Sequence, residues 1–265
     1  MKSWWKILSL SALFALGIAQ ADVKRIVTLS PDVVDIVVEL DGTERIVGKD
    51  STNRNPALKD VASVGVHRNL TVEPIVALEP DLVVGSYMVL PNNIFDKLSA
   101  LGVNAVNVAP DESLESYVHS IEKLGELLGK TEKAKALSQQ WQQGMQALPE
   151  TGKRYLLSYD GRIVAGRGTV GDTFIKLAGG INAADVDGLK PLSREGWLAA
   201  NPDVIIIAEH HKSALGEIEV VKQREEIAQS PAAQNNQVHY WPANSFLRYE
   251  LKSPEVVKQL HDLAQ

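Results

Sequence analysis

The chain contains no cysteine. That excludes a disulfide framework, thiolate metal ligands and a cysteine nucleophile. It also removes the lipid-bearing cysteine that tethers many exported binding proteins to a membrane. No Gly-x-Ser-x-Gly and no His-Glu-x-x-His occurs, and neither Ser158 nor the histidines form a recognisable triad. The nucleophile, base and orienting partner of a hydrolase are therefore missing, and an enzyme is not expected. The glycine-rich stretch Gly166–Asp172 lacks the lysine–hydroxyl pair of a phosphate loop and has the wrong spacing for a dinucleotide fingerprint. It reads as a tight turn leading into a helix capped near Thr169 or Asp172. There is no low-complexity segment and no short-period repeat.

The start of the chain speaks to its compartment. Lys2 and Lys6 precede an apolar run from Ile7 to Ile18, and Ala19-Gln20-Ala21 supplies a small-x-small cleavage pattern. The run is too short to span a bilayer permanently. Residues 1–21 are expected to be a cleaved secretory signal, with Asp22 as the mature N-terminus. A freely soluble export product makes sense where an outer membrane retains it, so the expected location is a Gram-negative periplasm. Removing residues 1–21 takes away two lysines and no acid, moving the formal charge from −6 to −8. That balance disfavours nucleic acid or an anionic membrane as partner and favours a soluble chain, expected to be a monomer.

One pattern is written twice, at Leu70–Val84 and Leu192–Ile206. Each copy has a polar start, a glutamate (Glu73, Glu195), a short apolar helix, a Pro-Asp break (Pro80-Asp81, Pro202-Asp203) and a strand apolar at every position. Such strands belong in parallel sheets covered on both faces. Two copies about 120 residues apart imply two α/β lobes in succession, with a cleft between them. The lobes are expected at 22–112 and 151–265, joined by one long helix over 113–150. In that stretch Leu114, Val118, Ile121, Leu124, Leu127 and Leu128 recur at helical spacing. Gly129 breaks the pattern, and Thr131-Glu132-Lys133 restarts it. Other expected strands are 25–30, 46–48, 104–108, 155–158 and 238–241. Helices are expected over 32–40, 95–101, 173–177, 217–229 and 254–263.

The order and spacing of several pieces resemble one class of ABC-transporter periplasmic binding proteins. They are Arg25–Pro31, Glu73–Val84, Leu98–Val103, Ile121–Gly129 and Leu192–Ile207. In that class one long helix joins two Rossmann-like lobes, and the ligands are haem, cobalamin and ferric siderophores. The resemblance covers nearly the whole mature chain. Val64–Leu70, Ala165–Thr169, Leu177–Asn182 and Lys190–Ser193 look most like the haem carriers. It implies haem as transported ligand, delivered to a permease dimer in the inner membrane, with cobalamin or a ferric siderophore as the alternative. One position departs from the pattern. Many haem carriers place an iron-binding tyrosine directly after the Val-Gly pair, where this chain has Val66 and then His67.

His67 is the first candidate iron ligand, since neutral imidazole is a common axial donor to haem; the alternative is a solvated loop histidine. Tyr159 follows the first strand of the second lobe, where related carriers can hold a ligand. Tyr87 and Met88 leave the end of a first-lobe strand and are expected to pack against a flat macrocycle. His210 and His211 occupy the equivalent place in the second lobe, and adjacent side chains are not expected to converge on one metal. Arg68, Arg167 and Arg248 are candidates for pairing with propionates. Trp241, Phe246 and Tyr249 are candidates for the cleft wall. Glu73 and Glu195 hold the same place in the two copies, and the resemblance implies that they dock on permease arginines.

Overall fold

In the computed structural model, which describes residues 23–265, two sheets lie in succession along the chain. The expected signal falls outside the described residues. The first half supplies β1 (Ile26–Thr28), α1 (Pro31–Glu39), β2 (Ile46–Lys49), β3 (Ala62–Ser63), α2 (Glu73–Val76), β4 (Leu82–Ser86), α3 (Ile94–Ala100) and β5 (Ala105–Ala109). Its sheet runs β3-β2-β1-β4-β5, with every neighbouring pair parallel. The uniformly apolar strands follow from burial on both faces. Ile26, Leu82 and Val84 face Val33, Val34, Ile36 and Val37 of α1. Val27 and Val83 face the opposite way, onto Ile75, Ile94 and Leu98 of α2 and α3.

The long helix expected over 113–150 is instead a pair of helices, α4 (Leu114–Leu128) and α5 (Thr131–Gly144). Ser113 caps the first, its hydroxyl accepting from Ser116 N at 3.0 Å. Gly129 ends it in the left-handed region at φ 68°, with Lys130 N donating to Gly125 O at 2.7 Å. Gly125 admits the next helix closely, because a Cβ there would lie 2.1 Å from that of Ala134.

The span between the halves is made by α5. Its first turn holds Asp41, beyond the end of α1, through Lys130 and Lys133 at 3.2 and 2.8 Å. Further along, Trp141 Nε1 donates to Glu250 O at 2.9 Å, and Gly144 lies against Pro254. At 1.5 Å per residue this helix is about 21 Å long. Tyr117, Trp141, Tyr249 and Phe174 pack ring against ring at this junction, with centroids 4.8 to 5.9 Å apart.

The second half comprises β6 (Arg154–Ser158), β7 (Ile163–Ala165), α6 (Val170–Leu177), β8 (Ile181–Asn182), β9 (Leu189–Pro191), α7 (Arg194–Ala200), β10 (Val204–Ala208), α8 (Lys212–Leu215), α9 (Ile218–Val221), α10 (Pro231–Gln234), β11 (Val238–Trp241), α11 (Asn244–Leu247) and α12 (Ser253–Asp262). Its sheet runs β11-β10-β6-β7-β9, with β8 beside the start of β6. Here β11, β10 and β6 are parallel, while β7 runs antiparallel to both β6 and β9.

The short strands β7, β8 and β9 have no counterpart in the sequence reading. The β6–β7 pairing comes from a turn in which Asp160 accepts from Arg162 N and Ile163 N at 2.9 and 2.7 Å. The helix expected over 217–229 is also corrected: only α9 forms, and turns follow. The buried residues there, Val221 and Ile227, are six apart, which on one α-helix sets them about 240° from each other. Turns bring both to the core instead.

Candidate functional site

A cleft of about 360 Å³ opens between the halves, within the range of small-molecule sites. The first half lines it with Arg68, Tyr87, Met88, Leu90 and Glu112, and the second with Gly168, Thr169, Gly171, Gly188, Leu189 and Leu247. Tyr87 and Met88 are presented by the end of β4, with Tyr87 N donating to Ala109 O at 2.7 Å and Met88 N to Ser86 Oγ at 3.2 Å. Leu90 N donates to His67 O at 2.7 Å, tying this loop to the one that carries Arg68. Opposite them stands the N-terminus of α6, where the Thr169 hydroxyl accepts from Asp172 N at 3.2 Å. Gly168 there takes φ +81°, a conformation glycine adopts without strain, and its N–H donates to Asp172 Oδ2 at 3.0 Å.

Burial sets the charge of this cleft. The Tyr87 hydroxyl is pushed far up by desolvation and by the nearby carboxylates of Glu112 and Asp32, so it stays a phenol. Asp32 lies beneath it, raised by burial despite hydrogen bonds from Ser30 and Ser86. Glu112 is raised by desolvation as well, and its Oε1 accepts from Val170 N at 3.4 Å across the cleft. Arg68 has no ion-pair partner among the described residues.

The other candidates are distributed as follows. His67 is buried, 6% exposed, and does not line the cleft. Its backbone N–H donates to Asp50 Oδ2 at 2.6 Å, and its Nδ1 lies 3.2 Å from the same oxygen. Its Nε2 is shielded and has no partner. Burial of Asp50 would raise its pKa, but hydrogen bonds from His67 and Thr52 outweigh this and lower it. Arg167 is occupied by Asp185 and Asp187 at 2.6 and 2.7 Å, and Arg248 by Glu250 at 2.6 Å. Trp241 packs against the core, Phe246 is fully buried, and Tyr249 belongs to the junction of rings.

Tyr159 is not a lining residue; it gathers with His210 and His211, which do converge, their rings 4.1 Å apart. Among the described residues no group of three or more His, Cys, Asp or Glu is placed to hold a metal ion. Leu90, Glu112, Leu189, Leu247 and the backbone of the α6 turn line the cleft although no pattern in the sequence singled them out as cleft residues. Only the glycine-rich turn left a signal.

Glu73 and Glu195 are both exposed in the first turn of α2 and α7. Each is held below the usual carboxylate range, first by its own backbone N–H and then by the hydroxyl of Thr71 or Ser193.

A model of the periplasmic binding protein family matches residues 26–245. The haem-binding protein RhuT of Roseiflexus sp. RS-1, in its apo form, is 27% identical with a TM-score of 0.81, over 92% of this chain and 100% of that one. The haem-binding protein BhuT, solved with two haems, is 26% identical with a TM-score of 0.81, over 91% and 97%. HutB of Vibrio cholerae, also a periplasmic haem-binding protein, is 26% identical with a TM-score of 0.80, over 90% and 98%. Among curated proteins, the uncharacterized ABC transporter substrate-binding lipoprotein YvrC of Bacillus subtilis is 23% identical over 91% of this chain and 79% of its own length. No helix among the described residues is long and apolar enough to cross a membrane. The chain belongs to the periplasmic binding protein family.

Proposed function

We propose that this periplasmic binding protein carries haem in its interlobe cleft and hands it to an ABC importer. The observation that carries the reading is the cleft itself. Its walls are apolar at Met88, Leu90, Leu189 and Leu247, and its unpaired cation is Arg68. Leu90 and Leu189 remain 45% and 49% exposed, apolar surface that a flat macrocycle would cover. A guanidinium free of carboxylates suits a propionate. The family and the haem-binding relatives support the same ligand.

In this reading residues 1–21 are cleaved after export into a Gram-negative periplasm. Residues 22–112 and 151–265 act as lobes joined through 113–150, and the protein works as a monomer without catalytic activity. The ring-packed junction around Trp141 stiffens α5, so the lobes close little. Glu73 and Glu195, charged and exposed on equivalent helix starts, pair with arginines of the permease dimer. His67 is the imidazole nearest to Arg68 in sequence, and its unpartnered Nε2 would hold the iron while Asp50 keeps the ring's Nδ1.

The test is a titration of purified mature protein with ferric haem, followed in the Soret region. A saturable, shifted band that changes in His67→Ala and persists in Tyr159→Phe supports both cargo and ligand. An unshifted, non-saturating spectrum overturns haem and leaves cobalamin or a ferric siderophore as cargo, the reading that Val66 favours at the position where many haem carriers have tyrosine.

A further inference from the structure

We propose that Tyr159, His210 and His211 form a binding site for a single transition-metal ion on the second lobe, with Cu²⁺ the tightest-held. The inference does not depend on the haem reading. Topology brings the three side chains together. In the β6–β10 pair, Ser158 lies opposite Ile207, so the residues that leave these two strands emerge side by side. Glu209–His211 then makes a single 3₁₀ turn that stacks both imidazoles beside the tyrosine. The ring centroids are 4.1 Å apart for His210 and His211, 5.1 Å for Tyr159 and His210, and 4.8 Å for Tyr159 and His211.

Two imidazoles bonded to one ion at about 2.0 Å each, at a right angle or wider, hold their centroids roughly 4.5 Å or more apart. His210 and His211 stand slightly closer than that, so the exposed His210 ring swings outward to share an ion held at His211 Nε2.

A second feature points the same way. His211 Nε2 is shielded from water and makes no hydrogen bond, and an orphaned buried nitrogen costs stability unless something fills it. A metal ion is the occupant its lone pair suits, since every imidazole ligand brings one basic nitrogen. Tyr159 N–H donates to Ile163 O at 2.8 Å, which fixes the hairpin that carries the phenol. Two imidazoles and a phenolate form a nitrogen–oxygen donor set, and among divalent first-row ions such sites hold copper most strongly. Binding releases the phenol proton to solvent and involves no redox change.

The experiment titrates untagged protein, free of haem, with Cu²⁺ and reads visible absorption and electron paramagnetic resonance. One equivalent is expected to bind with nitrogen coordination and a phenolate-to-copper band. Tyr159→Phe should remove the band while copper still binds. His210→Ala and His211→Gln should each weaken binding roughly tenfold or more, as loss of a ligand requires. Because His210 is exposed, its variant is expected to fold even if the His211 variant does not, and a urea midpoint verifies this. Failure of the wild type to bind, equal binding by the His210 variant, or a spectrum without nitrogen coordination overturns the site. None of these results bears on the haem titration, whose outcome is read separately.

Discussion

The two halves of the molecule build their central strand pair with one device and then diverge. In the first, Asp81 after the Pro-Asp break accepts from Lys24 N and Arg25 N at 2.8 and 3.0 Å, and Arg25 reaches Leu78 O at 2.6 Å. In the second, Asp203 accepts from Arg154 N at 2.9 Å, and Arg154 Nε reaches Ala200 O at 2.9 Å. The residue before each proline, Glu79 or Asn201, takes positive φ. The repeated pattern is thus a clasp: a carboxylate ties down the start of the neighbouring strand, and an arginine from that strand takes the orphan carbonyls at a helix end. Beyond the clasp, the first sheet stays parallel while the second folds a hairpin onto the free edge of β6. Identical central pairing leaves the edges of a sheet free to differ.

The walls of the cleft diverge too. The first half presents Arg68, Tyr87 and Glu112 beside the apolar Met88 and Leu90, whereas the second presents mainly glycine backbone and leucine with no charged side chain. Arg167 and Arg248 of the second half are spent on local carboxylates. Ligand chemistry is therefore weighted to one lobe and shape to the other.

Uncoupling the halves perturbs the molecule most. Trp141→Ala removes a buried ring and its hydrogen bond to Glu250 O, and should cost about 3–5 kcal/mol. Urea unfolding followed by two probes should then show separate transitions for the halves, whereas coincident ones mean the junction does not couple them. Next come the clasps. Asp81→Ala and Asp203→Ala should each cost about 1.5–3 kcal/mol; if one costs nothing, the two copies do not share a device.

The wall asymmetry is sharpened by Arg68→Ala, which should weaken haem roughly tenfold, about 1.4 kcal/mol, while Arg167→Ala leaves affinity unchanged. Equal losses in both would abolish the contrast. A smaller effect is expected at Glu112. Because desolvation raises its pKa, it takes up a proton early as pH falls, and the repulsion it exerts on propionates fades. Haem affinity should therefore rise toward acid pH in the wild type, and that rise should shrink in Glu112→Gln. Smallest of all, Glu73→Lys and Glu195→Lys should shift stability by less than about 0.5 kcal/mol and leave haem binding intact while transport fails. Loss of binding in either would move these residues out of the docking surface.

How much was legible varies with the range of the interaction. Doubled Pro-Asp strands, the glycine break at Gly129 and the cap at Thr169 are local patterns, and each of them is present in the fold. The Asp50–His67 contact, the capture of Arg167 by Asp185 and Asp187, and the meeting of Tyr159 with two histidines each join residues that periodicity does not relate. Tyr87 and Met88 were legible as wall residues because strand ends in parallel sheets collect ligands. Leu189 and Leu247 were not, since nothing in an isolated leucine says whether it faces a core or a cleft.

From composition and pattern alone came the absence of cysteine chemistry, the two α/β halves and the helical stretch between them, because local propensity and apolar period suffice for these. Which arginine stays free, which histidine is sealed away and which rings meet were decided by tertiary pairing. Most of those outcomes depend on contacts between segments far apart in the chain, as far as Tyr117 from Tyr249, and no local signal carries them.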